Sequence, residues 1–177
     1  MEFTKVGPPV SETDVASFEE QIGASLPADY RAFVLTTNGG VPSPNMVDDP
    51  VRELVGIEGF FSLGPVHGEL SMVDALATWD GRYPEGTLPI ALCGGSNLLL
   101  LTLRGQTTHP VYYWEHDGEA DEGEPARTDN LTQLAESFTD LIRSLHDEDP
   151  IDHPDVQRMM GGDVWVDPNF NPGPRKH

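Results

Sequence analysis

The sequence predicts an α+β fold, a curved and mainly antiparallel sheet with helices packed against it. Four segments place apolar residues at helical spacing, two near the N-terminus and two further on. Between residues 88 and 114, three apolar or aromatic segments follow one another with only turns between them, which makes an antiparallel meander the simplest topology. Eighteen glycines and sixteen prolines in 177 residues cut the chain into short elements.

The first helix opens at Ser11, whose hydroxyl can cap it, with Asp14 at the positive end of the dipole. Val15, Phe18 and Ile22 share a face, and Gly23 offers a left-handed stop. Leu26-Pro27 starts a second helix with Tyr30, Phe33 and Val34 on its apolar side, ended by Asn38-Gly39-Gly40. Residues 41 to 54, with Pro42, Pro44 and Pro50, read as a loop. Val55 to Leu63 reads as one or two short strands with a bulge or turn at Gly56 and Gly59, and Ser71 to Trp79 as a short helix with a serine cap.

Leu88 to Leu92 and Leu98 to Leu103 read as a hairpin around Cys93–Asn97. Its second strand is apolar on both faces and therefore central. Val111-Tyr112-Tyr113-Trp114 is the third strand. Leu131, Leu134, Phe138, Leu141, Ile142 and Leu145 recur at helical spacing, and the helix can begin near 130 or, with Ser137 as cap, near 137. The expected division is a domain over residues 1–146 and an acidic, proline-rich tail or strap over 147–177, in which Val164-Trp165-Val166 alone looks able to join a sheet.

Ten basic residues against thirty acidic ones give a net charge of −20, which repels phosphate backbones and anionic lipid and attracts basic proteins. Neither nucleic acid nor a membrane is an expected partner. A lone cysteine, Cys93, forms no internal disulfide, and Met1–Lys5 opens no signal peptide, so the expected location is cytoplasmic. The most apolar stretch, 88–103, is broken by Pro89 and Gly94-Gly95 and is too short to span a bilayer.

Phe18-Glu19-x-x-Ile22-Gly23-x-x-Leu26-Pro27-x-Asp29-Tyr30-x-x-Phe33, followed by Asn38-Gly39-Gly40, resembles the N-terminal signature of the SUKH superfamily. That group holds the fungal cell-wall synthesis regulator and many bacterial immunity proteins. Leu88-Pro89-Ile90-Ala91 with Gly94-Gly95-x-Asn97 is similar to its central hairpin. Val111-Tyr112-Tyr113-Trp114-x-His116 and Ala135-x-Ser137-Phe138-x-x-Leu141-Ile142-x-x-Leu145 are similar to its last strand and closing helix. The likeness covers about residues 11–146, in order. It implies the SUKH-like fold named above and a protein-binding, non-enzymatic role without cofactor. For a bacterial member this means neutralising a cognate toxin, often a nuclease; the alternative is a regulatory or scaffold domain with an endogenous partner.

No nucleotide-binding, nucleophile-elbow or zinc-peptidase motif occurs. Cys93 with His109 or His116 as base reads first as a buried thiol, and His146, Asp147, Asp149, Asp152 and His153 lack a spacing that fixes a metal, so no catalytic residue and no metal are expected. The run Glu115, Asp117, Glu119, Asp121, Glu122 and Glu124, six acids in ten residues without a base, reads as solvated and mobile and is the candidate surface for a basic toxin domain. Tyr112, Trp114 and Trp79 are candidate anchors if exposed.

Overall fold

A computed structural model describes residues 1–65, 68–104, 108–121 and 123–147, and its helices begin where the sequence offers a cap. Helix α1 (Glu12–Ile22) starts in a reciprocal box: the Asp14 amide donates to Ser11 Oγ at 3.2 Å and the Ser11 amide to Asp14 Oδ2 at 2.7 Å. Helix α2 (Ala28–Thr36) follows Pro27, and Glu19 Oε1 holds the corner by accepting from the Leu26 amide at 2.8 Å. Helix α3 (Met72–Thr78) is capped by Ser71, and α4 (Phe138–Ser144) by Ser137.

The later of the two helix starts is therefore the one used, and residues 131–135 are a strand instead. Leu131 and Leu134 match helical spacing, but the segment pairs with its neighbour along the sheet and becomes β8 (Leu131–Ala135). The stretch 41–54 is likewise not a loop. It holds β2 (Val41–Ser43), which pairs with an unforeseen β1 (Glu2–Thr4), and β3 (Met46–Asp49). Strand β2 has a ladder partner on one side only, where Pro42 is tolerated.

Strands β3, β4 (Glu53–Phe60), β5 (Thr87–Cys93), β6 (Asn97–Thr102), β7 (Val111–Trp114) and β8 form one antiparallel meander whose spatial order is the chain order. The expected bulge in β4 falls between Ile57 and Gly59. The sheet curves until its edges, β3 and β8, meet, and Arg52 beyond β3 donates to Thr132 Oγ1 of β8 at 3.1 Å. On the outer side of β3, Met46 exchanges two 3.0 Å backbone hydrogen bonds with His146. The expected tail from 148 onward, with Val164-Trp165-Val166, lies outside the described residues.

Register assigns the faces. Phe60 pairs with Ala91 and Ala91 with Leu99, whereas Leu98 pairs with Trp114, so Phe60 and Trp114 lie on opposite sides. On the first side Phe60 packs edge-on against Phe33 and Phe138, which brings α2 and α4 down on the sheet. On the second, Trp114 meets Trp79 at the end of α3. Leu98, Leu99, Leu100 and Leu101 are fully buried, as a central strand covered on both faces requires.

Asn38-Gly39-Gly40 does more than end α2. Asn38 is buried, and its Nδ2 donates to the Pro8 carbonyl at 2.6 Å and the Leu63 carbonyl at 2.9 Å, while its Oδ1 accepts from the Leu63 amide at 2.8 Å. Its own carbonyl accepts from the Gly7 amide at 2.9 Å. At Gly39 (φ +77°) a Cβ would sit 2.7 Å from the carbonyl oxygens of Phe60 and Phe61, so any side chain collides with backbone.

Asn38→Ala leaves the buried Leu63 amide and carbonyl and the part-buried Pro8 carbonyl without this partner and is expected to cost about 3 kcal/mol. Asn38→Asp is expected to cost as much, because a carboxylate cannot donate to Pro8 and Leu63. Urea unfolding at neutral pH measures both, and losses near those of an ordinary surface substitution would show that the junction is dispensable.

Candidate partner-binding surface

The acidic run begins where β7 ends, and polar side chains fix its path. Asn97 Oδ1 accepts from the His116 amide at 2.8 Å, and Asn97 Nδ2 donates to the Gly94 carbonyl at 2.6 Å. The hairpin turn thus holds the start of the run. Asn130 adds a hydrogen bond from Nδ2 to the Glu115 carbonyl at 2.9 Å. A single helical turn, His116–Gly118, follows.

Two of the acids are tied to arginines far away in sequence, so the run is not wholly free. Arg82 donates from Nε and Nη2 to both carboxylate oxygens of Glu119, at 2.8 and 2.5 Å. Its guanidinium carbon lies 4.4 Å from the centroid of Trp79, and Nη2 is 3.3 Å from His116 Nδ1, a contact in which the arginine donates and the ring accepts. Arg52 Nη2 pairs with Glu115 Oε2 at 2.8 Å and Nη1 with Asp49 Oδ2 at 3.2 Å, over the ring of Tyr113. The hydrogen bonds from Arg82, chiefly, hold the Glu119 carboxyl below its ordinary value, against the opposing effect of burial.

Asp117, Asp121 and Glu124 are exposed, and Glu122 lies outside the described residues. Tyr112 is half-buried. Trp114 is fully buried and Trp79 nearly so, which removes both as surface anchors: each ring is spent on the other and on the sheet. A cleft of about 830 Å³ opens beside the run, lined by Asp80, Arg82, Glu119, Asp121, Glu124 and Pro125. Sequence reading missed Asp80 and the two arginines. Trp79 three residues before Arg82, in a chain so poor in bases, is the signal that could have found the stacked pair.

The remaining chemistry is muted. Burial, with Glu58 nearby, pushes the Cys93 thiol up, the reverse of what a nucleophile needs. His109 Nδ1 is engaged with the Thr102 carbonyl at 2.9 Å and His116 with Arg82. Among the described residues no group of three His, Cys, Asp or Glu could hold a metal, and Asp149, Asp152 and His153 lie outside them. No helix among the described residues is long and apolar enough to cross a membrane. Burial, chiefly, with Cys93, Glu115 and Asp49, pushes Tyr113 up to about 12 despite Arg52. The arrangement displays negative charge, and among the described residues Cys93 is not brought together with His109 or His116 as a base.

Comparison with known proteins returns a match to the model of the SMI1 / KNR4 family (SUKH-1) over residues 9–144. The chain is also similar to the SPbeta prophage-derived uncharacterized protein YokK of Bacillus subtilis (strain 168), with 24% identity over 148 residues, covering 73% of this chain and 71% of that protein.

The Arg82–Glu119 pair carries a pH signature. Because the folded carboxyl is lowered, its contribution is fully present above the ordinary value of 4.5 and is lost as the pH falls through the folded value. Glu119→Gln is expected to lower stability by about 0.5–1 kcal/mol at neutral pH and to match the parent chain in strong acid. Asp117→Asn, at an exposed position, is expected to leave stability at neutral pH unchanged. Thermal melts across the acid range test both, and a parent-to-variant gap that persists in acid would show that the pair is not its source.

Proposed function

The chain belongs to the SMI1 / KNR4 family (SUKH-1), and on that premise we propose that it is a non-enzymatic immunity protein that neutralises a basic toxin domain, such as a nuclease, by sitting on it. The observation that carries this reading is the acidic run: Glu115 and Glu119 are spent on tethering it, while Asp117, Asp121 and Glu124 face solvent. Tethering lowers the entropy cost of presenting charge to a partner. The net charge of −20 has the sign that draws a cationic substrate groove toward the surface and repels the nucleic acid that competes for it. A cytoplasmic site of action belongs to the same proposal. The family and the distant relationship to a prophage-derived protein are consistent with a toxin-facing role.

Where a nuclease-toxin gene stands beside the gene for this chain, mixing the chain with that nuclease domain is expected to give a stoichiometric complex on gel filtration and to silence the nuclease. Nuclease activity unchanged in large molar excess of the chain would overturn the reading. A chain that protects against no toxin and co-purifies with an endogenous partner is instead a regulatory or scaffold domain.

The triple variant Asp117→Asn, Asp121→Asn, Glu124→Gln is expected to associate about tenfold more slowly at low salt, with a flatter salt dependence and an unchanged melting temperature. Stopped-flow mixing at two ionic strengths reads both quantities. An unaltered rate would remove the run from the recognition step.

A further inference from the structure

Long-range attraction does not make a tight complex, which also needs an apolar anchor buried in a pocket. The candidate tryptophans are inside the protein and Tyr112 is half-buried, which favours an anchor from the partner and a pocket on this chain. A groove of about 480 Å³ lies between the N-terminal segment, α1 and the start of α3, lined by Pro8, Val10, Phe18, Leu63, Pro65 and Val73. Val73 is 51% exposed, one of four large hydrophobic residues left open among the described residues. The walls are fixed: Asn38 bonds Pro8 and Leu63 together, and the position of a Cβ on Gly64 would lie 3.7 Å from Pro8 Cγ and 3.8 Å from Val10 Cγ1.

Acids lie beside this groove and further along α3. Asp14 is on its rim. The next residue after Val73, Asp74, lines with Glu69 and Trp79 a second hollow of about 370 Å³. The residue after Trp79, Asp80, lines the acidic cleft beside Glu119. The three hollows therefore follow one another along α3. Among the described residues lining them there is one base, Arg82, and Glu119 already holds it. A second copy of the chain would bring like charges face to face, and an anionic ligand would be repelled.

We propose that this α3 face is the partner-contact surface, and that the groove beside Val73 takes an apolar side chain presented between lysines or arginines of a basic protein. The proposal rests on the binding role argued above and adds where and how the partner is held. The acids steer and register the partner, and the groove supplies the desolvated centre.

The test titrates the isotope-labelled full chain with an acetylated Lys-Arg-Leu-Lys-Arg amide and with the same peptide carrying Ser for Leu, followed by amide NMR shifts. The leucine peptide is expected to move resonances of Val10, Phe18, Leu63 and Val73, and the serine peptide to bind about tenfold more weakly. Ser17→Trp, at an exposed position lining the groove, is expected to fill it and block the leucine peptide while the chain stays folded by circular dichroism. Equal affinity for the two peptides, shifts centred elsewhere, or no shifts at millimolar peptide would overturn the proposal. The nuclease assay separates the two readings. If Ser17→Trp silences the nuclease as well as the parent does, the groove is not the interface and the immunity role stands. If the parent silences no nuclease while the leucine peptide still maps to the groove, the immunity role falls and the surface assignment stands.

Discussion

The described fold turns on the side chain of Asn38. It stands at the end of α2, where three backbone segments distant in sequence converge: the N-terminal strap at Gly7-Pro8, the exit of β4 at Leu63, and the helix itself. None of these segments has a regular ladder partner at that point, so an apolar residue in place of Asn38 would leave the Leu63 amide and carbonyl buried without hydrogen bonds and release the part-buried Pro8 carbonyl. Only a primary amide offers two donors and an acceptor at one site. Gly39 then lets the chain pass against the carbonyls of Phe60 and Phe61, and Gly40 pairs with Phe60.

The same logic extends to the other polar residues of the family-like strings. Glu19 closes the α1–α2 corner. Asp29 Oδ2 reaches across to accept from the Thr139 amide at 2.8 Å and its hydroxyl at 3.0 Å, so α2 supplies a second cap to α4. Asn97 fixes His116, the second residue of the acidic run after β7. These groups are consumed by architecture. On the proposed reading, partner choice falls to residues outside those strings, such as Val73, Asp74, Asp80 and the exposed acids of the run, which can vary without disturbing a buried hydrogen bond. A scaffold of this kind separates what specifies its shape from what specifies its ligand.

How much of this was legible follows from the range of each signal. Caps and stops act within a turn of the chain, and Ser11, Gly23, Ser71 and Ser137 were each readable where they stand. The central hairpin was readable because β6 is apolar on both faces. Strands β1, β2, β3 and β8 were not, since each is a short edge element whose conformation is set by its neighbour rather than by its own alternation; in β8 none of Leu131–Ala135 is fully buried. The acidic run was visible as composition, but its tethers come from Arg52 and Arg82, and no local pattern says which base will fold back to which acid. Trp114 showed the converse failure, an aromatic that looks like a hot spot in sequence and is core in space.

The near-closure of the sheet bears on how the molecule behaves in a crowd. Mutual repulsion keeps such an anionic protein dispersed, and that protection fades as the solution nears the isoelectric point of about 4.3 that the composition gives. What then decides between a reversible precipitate and templated fibril growth is whether a naked β-edge is on offer. At β3 the hydrogen-bonding groups of Met46 are already occupied by His146, and Arg52 clasps β3 to β8. Where charge no longer keeps molecules apart, this stretch of the β3 edge leaves Met46 no free backbone hydrogen-bonding group to template a further strand.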